Sequence, residues 1–187
     1  MSMRSRLFAL CLTIILTLFL QSCASLHQTP KNYVSIDLSY APYEEILKQV
    51  KQKYGPMKSR GEAHVTVITP PEFNALLKYM SAEDIQKSAL IFTQNRPSIK
   101  QICLGRSQVN LAGVTESTFY VVIQSAELNQ YRKALADSKA VPKSVFDPAL
   151  FFPHVTIGFT NRDLHYEDGV RKNVSTCLQD FKLNNEN

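Results

Sequence analysis

The chain has 187 residues, with 21 Lys and Arg against 16 Asp and Glu, for a formal net charge of +5. That mild balance, with no dense Lys/Arg run, is no nucleic-acid footprint by itself, though it suits a phosphate-bearing substrate. None of the four cysteines has metal-site spacing, which argues against a zinc-ribbon type of protein.

Residues 1–22 read as a signal peptide. Arg4 and Arg6 form a basic start, and Leu7 to Leu20 is an uncharged apolar run. The run is shorter than the roughly 18–20 residues of a membrane span. It ends in Leu20-Gln21-Ser22-Cys23, which resembles a bacterial lipobox. The resemblance implies cleavage before Cys23 and lipid on that cysteine. Ala24 follows in place of Asp, which in a Gram-negative cell implies an outer-membrane anchor facing the periplasm. An ordinary signal peptide or N-terminal membrane anchor is the alternative. Without Arg4 and Arg6 the formal balance falls from +5 to +3. Residues 23–32 then form the lipidated cysteine and a polar tether, which holds His27. The mature chain, 23–187, is enough for one domain and too short for two comfortable ones, and that domain spans 33–187. Cys103 and Cys177 either pair in an oxidising compartment or stay as buried thiols.

Within the domain, Tyr33 to Leu38 alternates like a strand. Pro42, Glu44 and Glu45 then open a helix that Gly55-Pro56 stops. A basic loop with Lys58 and Arg60 leads to a β-branched run, 64–69. Thr69-Pro70-Pro71-Glu72 follows as a capping-box pattern for a second helix, and Ser81 caps a third through about Leu90. Ile99–Leu104 and Gln108–Leu111 read as two short strands turning at Gly105-Arg106. Thr118–Gln124 is a strong strand, and Ser125 caps a helix to about Asp137. A proline-bearing loop delivers a second β-branched run, 153–160. The apolar stripe Val170, Val174, Cys177, Leu178 and Phe181 predicts a last helix from about Asp168 to Phe181.

One phrase occurs twice. It reads His64-Val65-Thr66-Val67 and His154-Val155-Thr156-Ile157. Alternate residues of a strand share a face. Each copy therefore presents an imidazole beside a hydroxyl, while Val65, Val67, Val155, Ile157 and Phe159 turn toward a core. Strand, helix, loop and His-x-Thr strand recur at 33–69 and 118–160, so two similar halves can each supply one motif to a shared cleft.

The two motifs, the FFPHVTIGF context and the duplicated layout resemble the 2H phosphoesterase superfamily, whose relatives include RNA-ligase-like and cyclic phosphodiesterase families. The resemblance implies an α+β fold of two pseudo-symmetric lobes, with antiparallel sheets lining a central cleft and helices on the outer faces. It also implies cofactor- and metal-independent cleavage of a phosphodiester, often a 2′,3′-cyclic phosphate or an RNA end.

The residue chemistry agrees. Opening a cyclic phosphodiester needs a base for water and an acid for the leaving oxygen, and histidine serves as either near neutral pH. His64 and His154 are the candidate acid and base, in either order. Thr66 and Thr156 are candidates to hold the non-bridging oxygens. A catalytic zinc would want three protein ligands, and the other histidines, His27 and His165, lie in the tether and a polar loop. Arg106, Lys58 and Arg60 are weaker candidates to hold phosphate, and Tyr120 and Phe152 to stack a base. The partners implied are a small nucleotide or RNA-derived phosphodiester and, through the lipid, a membrane; no dedicated protein partner is evident. A phosphate- or nucleotide-binding envelope lipoprotein without turnover is the alternative from another class.

Overall fold

The hydrophobic alternation of the two His-x-Thr runs builds the two sheets around which the domain packs. A computed structural model describes residues 31–183; Cys23, His27 and the signal-peptide reading lie outside the described residues. The first sheet pairs β1 (Val34–Leu38) with β2 (Ala63–Ile68). The second orders β3 (Lys100–Leu111), β4 (Val114–Gln124) and β5 (His154–Phe159). All pairings are antiparallel. The helices are α1 (Ala41–Tyr54), α2 (Pro70–Leu76), α3 (Ala82–Gln94) and α4 (Ala126–Ser138). The fold is α+β, as the resemblance implies.

Side-chain caps set where three helices begin. The Thr69 hydroxyl accepts from the Glu72 backbone at 3.4 Å, and the Glu72 carboxylate accepts from the Thr69 backbone at 2.9 Å. Ser81 and Ser125 cap α3 and α4 in the same way, accepting from Asp84 and Leu128. Each such cap contributes about 1 kcal/mol. Apolar faces then fix the packing. Ile46, Leu47 and Val50 of α1, and Leu128 and Leu135 of α4, are buried against Val65, Val67, Val155 and Ile157. Phe159 departs from the alternation and stays half-buried.

The two halves repeat each other down to a backbone irregularity. Asp37 faces His64 and Ser35 faces Thr66 across the first sheet; Val122 faces His154 and Tyr120 faces Thr156 across the second. In both, the register slips at the residue after the threonine. Val34 faces Ile68, skipping Val67, and Phe119 faces Gly158, skipping Ile157. A β-bulge of this kind bends and re-aims a strand, and here both motif strands carry one at the same place. β2 and β5 lie next to each other. Lys58, in the lead-in to β2, exchanges backbone hydrogen bonds of 2.9 and 3.0 Å with Phe159.

Three expectations are corrected. The predicted turn at Gly105-Arg106 is absent: β3 runs through it, and the hairpin turns at Ala112-Gly113, where φ is 51° and 83°. Two positive φ values match a primed two-residue turn. Gly105 serves a close approach instead, since a Cβ there would lie 2.5 Å from the Tyr120 ring. The third helix runs on past Leu90 to Gln94. The predicted helix 168–181 is an extended strap with short 3₁₀ turns at Tyr166–Asp168 and Val174–Thr176. Tertiary bonds override its apolar periodicity. Cys177 forms a disulfide with Cys103, and the Leu178 backbone donates to Leu104 at 2.9 Å. A helix would have to give up both.

Candidate active site

The strand alternation brings His64, Thr66, His154 and Thr156 to one cleft of about 690 Å³. Arg60, Glu62, Asp163, His165 and Lys172 share its lining, with Phe151, Phe152 and Tyr166.

The two imidazoles have opposite neighbours. His64 places Nδ1 3.5 Å from the Glu62 carboxylate. His154 places Nδ1 2.7 Å from the Phe152 carbonyl and Nε2 3.2 Å from the Lys172 ammonium. A carbonyl can only accept, so the His154 proton sits on Nδ1 and Nε2 is the acceptor. Burial, and then the positive charge of Lys172, push the His154 pKa well below the usual imidazole range. The ring is neutral at pH 7. Tyr120 supports it edge-on, with ring centroids 5.6 Å apart.

Lys172 is only 4 % exposed. Burial lowers its pKa, against the pull of Asp163, whose Oδ1 accepts from Nζ at 2.9 Å. Burial works to raise the Asp163 pKa, but the Lys172 charge outweighs it and the carboxyl lies below its ordinary value. The other Asp163 oxygen accepts from the Thr156 hydroxyl at 3.1 Å and from Arg60 at 3.4 Å. One carboxylate thus joins the lysine on His154 to the threonine of the same motif. Thr66 makes no side-chain hydrogen bond to protein among the described residues, and it lines the cleft.

A buried arginine ties the strand of the first histidine motif to the loop that precedes the second. Arg132 of α4 is fully buried. It donates to Val67 O at 2.7 Å, to both Glu72 carboxylate oxygens at 2.7 and 3.2 Å, and to Asp147 O at 3.1 Å. Its guanidinium lies 4.4 and 4.6 Å from the Phe146 and Phe151 ring centres. It therefore ties β2 and α2 to the loop that delivers Phe152 and β5.

Of the weaker candidates, Arg60 and Phe152 line the cleft. Lys58 turns to the Asn161 carbonyl at 3.4 Å. Arg106 lies over the Tyr54 and Phe119 rings, away from the lining residues. Tyr120 is wholly buried, with its hydroxyl on Ser107 and Thr176, so it has no face for a base. His165 sits at the cleft, yet among the described residues no three His, Cys, Asp or Glu side chains are placed to hold a metal. Glu62, Asp163 and Lys172 escaped the sequence reading. Lys172 lies in the segment whose apolar stripe predicts a helix that does not form.

A family model described as Swiss Army Knife, 2H phosphoesterase domain, matches residues 32–165. The chain belongs to the 2H phosphoesterase family. The match spans both His-x-Thr motifs and makes the protein a phosphodiesterase-type hydrolase. Neither a curated protein nor a solved structure matches the chain. Lys172 falls beyond the part of the chain that the 2H phosphoesterase model covers. With the family in hand, the bulge shared by β2 and β5 reads as a duplicated device that aims each motif of a 2H phosphoesterase into the common cleft.

Proposed function

We propose that this 2H phosphoesterase hydrolyses a 2′,3′-cyclic nucleotide or RNA-end phosphodiester without a metal, with His64 and His154 as general acid and base. The observation that carries this is the arrival of both imidazoles and both threonine hydroxyls in one cleft from strands of matching register. Water attacks phosphorus as one imidazole takes its proton. The other protonates the leaving ribose oxygen. Thr66 and Arg60 offer donors to the non-bridging oxygens, where negative charge must be held. Phe152 and Tyr166, with near-parallel rings 6.3 Å apart, offer an apolar wall for a base. The lipobox-like stretch at Cys23 supports a lipid-anchored protein at the outer membrane, facing the periplasm. Labelled-lipid incorporation that is lost in Cys23→Ser supports that placement, and a cytosolic mature protein refutes it.

The test is hydrolysis of the four 2′,3′-cyclic nucleotides in excess chelator. Turnover that survives chelation and is lost in both His64→Ala and His154→Ala supports the reading. Turnover lost on chelation refutes the metal-free mechanism.

One observation favours a second reading, a nucleotide-binding module without turnover: His154 Nε2 and the Thr156 hydroxyl are both already engaged, by Lys172 and Asp163. Tight binding of a nucleotide with no product from any cyclic or linear phosphodiester identifies the module.

A further inference from the structure

We infer that Lys172 is a positioning residue that makes His154 the base of the pair and leaves His64 as the acid. The inference rests on the two-histidine reading above. Its ground is the contact between Nζ and Nε2 at 3.2 Å, made by a lysine that is 4 % exposed and fixed from behind by Asp163 at 2.9 Å. With Nδ1–H held by Phe152 O at 2.7 Å, the ring has one tautomer and one free lone pair, and Lys172 points at that lone pair. A base must start neutral. An ammonium beside the ring enforces this, as does burial.

Among the described residues no Lys or Arg makes such a contact with His64. The polar group beside its Nδ1 is the Glu62 carboxylate at 3.5 Å, which suits the donor of the pair. The groups facing His154 are Lys172 from the strap, Asp163 and His165 from the loop after β5, and Tyr120 from β4, whose hydroxyl is bonded elsewhere. Arg60 bears on it through Asp163.

When a phosphodiester enters, Lys172 shifts its hydrogen bond from Nε2 to a non-bridging phosphate oxygen and remains an ammonium. Nε2 is then open to water. The water oxygen bonds to phosphorus and its proton passes to Nε2. The bond from phosphorus to the ribose oxygen breaks, and His64 protonates that oxygen. Imidazolium and imidazole exchange places, and solvent resets them. The neutral ring and the anion-binding cation are thus the same device, used first on the base and then on the substrate.

The experiment follows the histidine side-chain nitrogens of the full-length protein by NMR across pH, in wild type and in Lys172→Met, Lys172→Gln and Lys172→Arg. It adds the pH profile of kcat/KM on a 2′,3′-cyclic nucleotide. Wild-type His154 is expected as the Nδ1–H tautomer. Its titration moves up by about one unit or more in Met and Gln and stays low in Arg. The acid limb of kcat/KM moves with it. An unchanged His154 titration in the uncharged variants overturns the inference, as does an acid limb that tracks His64. If Met does not fold, Gln keeps the size and drops the charge, so the comparison stands. If no protein turns over any phosphodiester, the enzyme reading and the role as base both fail. The NMR titration then still shows whether Lys172 sets the state of the ring.

Discussion

The Thr156 hydroxyl donates to Asp163 at 3.1 Å, so its hydrogen is committed within the protein. The two threonines of a sequence-level pair are therefore unequal. Thr66 keeps a free donor, whereas Thr156 is bound into the Asp163–Lys172 pair. Thr66→Val is expected to lower kcat by about 10-fold or more, in line with loss of a donor to transition-state charge. Thr156→Val should act mainly by loosening Asp163. Steady-state kinetics on both variants checks the order.

Removing either imidazole takes away one half of the proton traffic. His64→Ala and His154→Ala should each lower kcat by about 10²–10⁴-fold, the usual worth of a positioned acid or base. The double variant should cost much less than the product of the two, because the residues act as a unit. Single-turnover rates of the three variants measure this.

The pH dependence of stability has a definite sign. His154 is depressed in the folded state, so below about pH 6.5 the unfolded chain holds a proton that the folded one does not. Stability is therefore highest above that pH and falls as pH drops, by about 1.4 kcal/mol per unit while one proton is taken up on unfolding. Asp163 is also depressed and adds to the loss below about pH 4. Denaturant melts from pH 8 to 4 should show both, with the first weakened in Lys172→Met.

Arg132 should be a strong point of the fold. Its five N–H groups serve Glu72 and three backbone carbonyls, with the Pro148 contact at 3.5 Å the longest. Arg132→Met leaves the part-buried Glu72 carboxylate without its ion-pair partner. A loss of about 3–5 kcal/mol is expected. Chemical denaturation measures it, and recovery in Arg132→Met/Glu72→Gln shows that the lone charge is the cause.

The Cys103–Cys177 bond closes a loop with a sequence separation of 74. Chain entropy gives such a bond about 4 kcal/mol. Reduction, or Cys103→Ser, should lower the melting temperature and free the strap that carries Lys172. His154 should then titrate upward in the reduced protein, as NMR can follow.

What the sequence could show depended on whether local pattern and tertiary contacts agreed. Val65 and Val155 are buried and His64 and His154 face the cleft because strand alternation alone decides that. Thr69, Ser81 and Ser125 were legible as caps because a cap is made within three residues. Gly105 misled because glycine serves turns and close approaches alike, and only the Tyr120 ring distinguishes them. The strap misled because Val170, Val174 and Leu178 keep helical spacing while Cys177 and Leu178 are claimed by β3. Losing that segment also hid Lys172, and with it the asymmetry between two motifs that look alike in sequence.

The strap also sets a timetable. In chain order both His-x-Thr strands come before Lys172, and Cys177 follows Lys172 by one short turn of chain. A reduced molecule, with its strap not yet tied to β3, can thus pair its sheets while the second imidazole still lacks its cation. The centre is finished only when the end of the chain swings across β3 and two thiols are oxidised. Under reducing conditions the strap is expected to stay loose and the site unfinished, until an oxidant closes the one sulfur bond that completes it.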